Sequence, residues 1–82
     1  MFINKSKDGR NNLCGRKIYD LRKNLKLSQR QLAEKLQING LDVDKNAIQR
    51  IEAGKRFITD IELLALSKVL NVSISDLFDE NE

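Results

Sequence analysis

Histidine, proline and tryptophan are absent from this 82-residue chain, cysteine occurs once, and four residues are aromatic. Each shortage excludes some chemistry. Cys14 alone cannot close an internal disulfide. With no histidine beside it, it cannot complete the Cys/His ligand set of a zinc site. Its expected place is that of a small apolar residue near the start of the first helix. No cofactor, metal site or catalytic residue is indicated: the nucleophile–base arrangements of enzymes need partners that are missing, and the four glycines form no phosphate-binding loop. The few aromatics offer no platform for stacking single-stranded bases, which makes RNA a weak candidate for a partner. Apolar runs last only a few residues, so no membrane span is read. The opening Met1-Phe2-Ile3-Asn4-Lys5 lacks the apolar stretch of a signal peptide, and a cytoplasmic protein is expected.

What remains is 40% hydrophobic and 33% charged, the balance of one small globular domain. The charge is unevenly placed. Residues 1–58 hold fourteen of the fifteen Lys/Arg and six of the twelve Asp/Glu, a net of +8; residues 59–82 hold the rest, a net of −5. A basic front and an acidic back favour one orientation on a polyanion.

Residues 1–11 are polar and carry Lys5, Lys7 and Arg10, which reads as a flexible basic arm. The folded domain is expected over 12–78 and an acidic tail over 79–82. A first helix from Asn12 to Leu25 follows from Ile18, Leu21 and Leu25 on one stripe. Lys26 then stands at a turn where glycine's left-handed freedom is usual. Ser28 and Gln31 form a capping box for a second helix with Leu32, Ala33 and Leu36 inward. Gly40 stops it, with Leu41 placed for the accompanying apolar contact. Asp44 caps a third helix whose inner residues are Ile48 and Ile51, and Gly54 ends it. Thr59 with Glu62, and Ser73 with Asp76, repeat the capping signature. The fourth helix carries Leu63, Leu66 and Leu70 inward, with Ile61 and Leu64 beside that stripe; a short fifth holds Ile74, Leu77 and Phe78, and Phe78 is placed in the core. No alternating strand pattern competes, so the expected class is all-α, a compact five-helix domain.

Four pieces of the chain, in order and at helix-compatible spacing, resemble the phage Cro/repressor-type helix-turn-helix proteins, the XRE-type regulators. They are Ile18-x-x-Leu21-Arg22, Leu27-Ser28-Gln29-x-x-Leu32-Ala33, Ile48-x-x-Ile51-Glu52-x-Gly54-Lys55-Arg56, and Leu66-Ser67-x-x-Leu70-x-Val72-Ser73. There is one departure. The family usually separates the last inward leucine of helix two from the first inward residue of helix three by about seven positions, whereas Leu36 and Ile48 lie twelve apart. The additional residues fall between Gln37 and Val43, and Leu41 and Val43 are expected to tuck back onto the core.

The resemblance implies a sequence-specific regulator of transcription, a repressor before an activator, that puts helix three into the major groove of double-stranded DNA, commonly as a homodimer on a palindromic operator. Lys45, Asn46, Gln49 and Arg50 point away from Ile48 and Ile51 and are the expected base contacts. Arg and Lys donate to guanine O6 and N7, while Asn and Gln pair with adenine. An ordinary solvated polar face is the bland alternative. Ala47 is a candidate for a thymine methyl. By similarity Gln29 anchors a phosphate at the start of helix two, where unpaired N–H groups welcome an anion. Arg30, Lys55 and Arg56 are further expected phosphate contacts. Arg22 and Glu52 match a partly buried ion pair that ties helix one to helix three. Ile61, Leu64, Ile74 and Phe78 are candidates for a dimer face. No small-molecule ligand is evident. The alternative function is a protein-interaction module, such as an antitoxin or adaptor, on the same fold.

Overall fold

Helix starts and stops are written into the side chains of this chain. The computed structural model describes residues 9–78, so the expected acidic tail and most of the expected arm lie outside the described residues. Five helices follow one another: α1 (Gly15–Asn24), α2 (Gln29–Ile38), α3 (Lys45–Glu52), α4 (Asp60–Leu70) and α5 (Ile74–Leu77). No strand occurs among the described residues. Ser28, Thr59 and Ser73 close complete capping boxes with Gln31, Glu62 and Asp76, and the Asp44 carboxylate accepts from the Ala47 backbone N–H. Each such cap satisfies a donor that the first helical turn leaves open.

The first four helices end alike, on a left-handed residue that lets two backbone N–H groups fold back onto the last carbonyls. Those residues are Lys26, Gly40, Gly54 and Asn71. After α1, Lys26 N–H donates to the Lys23 carbonyl and Leu27 N–H to that of Arg22. Lys26 has φ of +60°, a conformation that costs a residue with a Cβ on the order of 1 kcal/mol.

The core comprises Cys14, Ile18, Leu32, Ala33, Leu36, Val43, Ile48, Ile51, Leu66, Leu70 and Leu77. In it α3 packs on α1 and α2, α4 on α2, and α5 on α4. The additional residues between α2 and α3 make an ordered turn. Gly40 turns left-handed, Leu41 N–H returns to the Leu36 carbonyl, and Gln37 Nε2 donates to the Val43 carbonyl at 2.7 Å. Val43 is buried and Leu41 packs against the core, so apolar burial fixes the turn at its far end.

Three expectations need correction. Asn12 does not begin α1. Its side-chain oxygen accepts from Gly15 N–H at 2.8 Å, which makes it a cap for a helix starting three residues later. Leu25 is 48% exposed, because α1 has ended by then and the stripe no longer runs along a helix. Phe78 is 42% exposed: it caps the four-residue α5, and Leu77 takes the buried position.

Candidate nucleic-acid interface

The outward face of α3 follows from its inner one. Ile48 and Ile51 are fully buried, which turns Lys45, Asn46, Gln49 and Arg50 to solvent on the opposite side. None of these four side chains makes a hydrogen bond or ion pair with the described residues, so their donors and acceptors are open to a ligand. Ala47 is half-buried against the core.

The N-terminal ends of α2 and α3 meet at an open basic depression. Lys23, Lys26, Arg30 and Lys45 line it, with Arg22, Ser28 and Gln29 behind, and no acidic residue is part of its wall. Three expected contacts, Gln29, Arg30 and Lys45, are thus brought together. Lys23 and Lys26 join them, and the pattern of apolar residues did not single those two out. The signal was Lys26 itself, a lysine at a position whose backbone favours glycine.

Beneath this surface lies an ion pair. Arg22 Nε donates to Glu52 Oε2 at 2.7 Å and Nη2 to Oε1 at 3.0 Å. The two side chains are only 7% and 6% exposed. Arg22 Nη1 also donates to the Leu27 carbonyl at 2.7 Å, and the guanidinium lies 5.3 Å from the Tyr19 ring centroid. Gln29 Nε2 donates to Glu52 Oε1 at 3.0 Å. One carboxylate near the end of α3 therefore holds α1 and the start of α2, and through Arg22 the turn between them. Gln29 spends one amide N–H on that bond and keeps a second for another acceptor.

At the far end of α3, Lys55 is exposed, but Arg56 is engaged elsewhere. Its Nη1 and Nη2 donate to Glu62 Oε1 and Oε2 at 2.9 and 2.8 Å. That hydrogen-bonded fork, ahead of the simple charge attraction, holds the Glu62 carboxyl below and the Arg56 guanidinium above its ordinary range. Arg56, expected on a phosphate, is thus committed to tying the α3–α4 connection to a buried carboxylate. Glu62 is legible in sequence only as a capping residue, a duty it also performs by accepting from Thr59 N–H at 2.9 Å.

The residues placed in the arm also behave differently where they are described. Arg10 Nη2 donates to the Glu52 carbonyl at 2.7 Å, and Asn11 N–H to that of Gly54 at 2.8 Å. Both are attached to the end of α3.

The helix-turn-helix family model matches residues 18–77 of the chain. This protein belongs to the helix-turn-helix family. Its fold is similar to that of the restriction-modification controller protein C.AhdI from Aeromonas hydrophila, at 30% identity and a TM-score of 0.68 over 78% of this chain and 86% of that one. It is similar also to the P22 c2 repressor protein, solved in complex with the synthetic operator 9T in the presence of Tl+. There the identity is 31% and the TM-score 0.71 over 85% of this chain and 98% of that one. No curated protein matches. The helix-turn-helix proper is α2, the long turn and α3. No described helix is long and apolar enough to cross a membrane, and no described cluster of side chains could hold a metal ion.

Proposed function

We propose that this helix-turn-helix protein is a sequence-specific transcriptional regulator that inserts α3 into the major groove of double-stranded DNA. The observation that carries the reading is the open polar face of α3: Lys45, Asn46, Gln49 and Arg50 are exposed and unpaired on a helix with a fully buried underside. These side chains offer the donors and acceptors that base edges match. An interaction helix would carry exposed aromatic or aliphatic anchors in their place.

Gln29, Arg30, Lys23 and Lys26 meet the backbone phosphates on one side of the groove, and Lys55 meets them on the other. Such contacts supply affinity and orientation without choosing sequence. The groove-facing helix is eight residues long, about 12 Å at 1.5 Å per residue, so one copy reads a short half-site. Two copies joined through Ile61, Leu64, Ile74 and Phe78 read a palindrome with half-sites about 34 Å apart. The P22 c2 repressor, whose structure holds an operator, supports the DNA reading and repression by occupancy of a promoter. The DNA-binding unit takes in Arg10 and Asn11, which bond to the end of α3, together with residues 12–78.

Selecting bound duplexes from a random pool, followed by salt titration, tests this. A palindromic consensus, with affinity falling by roughly 0.9 log units per tenfold salt for each phosphate neutralised, is the expected result. No mobility shift on any duplex, even at low salt, would point to the protein-partner function instead.

A further inference from the structure

The two ends of α3 are held by different means. Its N-terminal end follows the long turn from α2 and rests on the Asp44 cap and the burial of Val43. Its C-terminal end is gripped by Arg10, Asn11 and Asn12. Together these three residues donate to five carbonyls. Asn12 Nδ2 reaches those of Ile51 and Arg56 at 3.0 and 2.8 Å, Arg10 Nη2 that of Glu52 at 2.7 Å, Asn11 N–H that of Gly54 at 2.8 Å, and Asn11 Nδ2 that of Lys55 at 3.1 Å. The Asn12 oxygen meanwhile accepts from Gly15 N–H at 2.8 Å. A single amide group thus links the start of α1 to the end of α3.

Two glycines make room for this clasp. A Cβ on Gly54 would lie 2.6 Å from Arg10 Cζ, and one on Gly15 would collide with the Ile51 carbonyl oxygen. Two of the five acceptors, the carbonyls of Ile51 and Glu52, close α3 at the negative end of its dipole, where N–H groups and the Arg10 charge are favoured; the other three belong to the turn that follows it. Asn11 Oδ1 is buried without a partner, so the orientation of that amide is set by its donor side.

We infer that Arg10 and Asn12 are positioning residues that fix the angle at which α3 meets DNA, and that base discrimination depends on them although neither lies on the outward face of α3. The inference rests on the proposal that α3 enters the groove. The lever is geometric. A tilt of about 10° about the clasped end moves the tip of a helix about 12 Å long by roughly 2 Å. A base contact needs donor and acceptor within about 3.2 Å, so a shift of that size breaks it.

Full-length Asn12→Ala and Arg10→Ala test this with two 30-base-pair probes: the duplex selected from a random pool by the unaltered protein, and the same duplex with its bases scrambled. Both are titrated well below the melting transition, with the folded fraction read by circular dichroism. The expected result is about a tenfold loss of discrimination between the probes, the worth of one good base contact, with binding to the scrambled probe changed less than about twofold. A merely structural clasp would lower both affinities alike and leave their ratio intact, which would overturn the inference. Should Asn12→Ala fail to fold, Arg10→Ala alone, which removes one of the donors, decides the matter by the same ratio. A pool that yields no preferred duplex would instead defeat the groove reading on which the inference rests.

Discussion

The surface around α2 and α3 and the surface around α4 and α5 export opposite chemistry from one core. The first presents polar and basic side chains: Lys45, Asn46, Gln49 and Arg50 on α3, and Lys23, Lys26 and Arg30 around the depression. The second presents aliphatic and aromatic ones: Ile61 is 70% exposed, and Leu64, Ile74 and Phe78 are exposed too. The first is oriented by ionic and hydrogen-bonded struts, the Arg22–Glu52–Gln29 cluster above all. The second rests on the burial of Leu66, Leu70 and Leu77 beneath it, with directional bonds confined to the starts of α4 and α5. Directional bonds orient the polar surface; non-directional packing carries most of the apolar one. A polyanion suits the first surface and a second copy of the chain suits the other.

The polar surface is most vulnerable at Glu52. Glu52→Ala leaves the Arg22 guanidinium in place without its carboxylate, a change expected to cost about 3–5 kcal/mol. At about 4–8 °C per kcal/mol for a domain of this size, thermal unfolding should begin far lower. A melting temperature within a few degrees of the unaltered protein would mean the strut is dispensable. Ile61→Glu probes the opposite surface. It should leave the fold within about 0.5 kcal/mol, yet weaken binding to a palindromic duplex by about 100-fold through the loss of avidity. Analytical ultracentrifugation should report monomer. Unchanged dimerisation would remove α4 from the interface.

Acid should affect the α3–α4 junction. The Arg56 fork holds the Glu62 carboxyl below its ordinary value near 4.5. A depressed carboxylate contributes stability that is present above that value and lost as pH falls through the folded-state value. The melting temperature should therefore hold on the neutral side of 4.5 and drop below it, with a smaller drop in Glu62→Gln measured over the same range. Equal acid profiles for the two proteins would contradict the assignment. Lys55→Ala sharpens the basic surface with the smallest effect expected: affinity falls equally for all duplexes, and the salt slope flattens by about 0.9. An unchanged slope would take Lys55 off the backbone.

Much of this architecture was legible because its signals are local. Capping boxes at Ser28, Thr59 and Ser73 join residues three apart, and Gly40 and Gly54 stop helices at their own positions. The polar face of α3 follows from Ile48 and Ile51 within a single helix. What escaped was non-local. Arg10, Asn11 and Asn12 meet carbonyls 39 to 44 positions away, and acceptors on the main chain leave no trace in residue identity. Arg56 was read from its charge, yet its partner Glu62 lies six positions on, across a helix start. Leu25 continues the apolar stripe of α1 and Phe78 follows Leu77 at the end of α5, but both helices end before either side chain can be turned inward. The long α2–α3 turn was visible as an insertion, and the Gln37–Val43 bond that orders it was not.

The central claim is that the outward face of α3 reads base edges. It is tested most directly by selecting duplexes from a random pool with the unaltered protein and with Arg50→Ala. Arg50→Ala should lose preference at one base pair of each half-site and about 1–3 kcal/mol of affinity for the original consensus. Recovery of the same consensus with the same affinity by both proteins would contradict it.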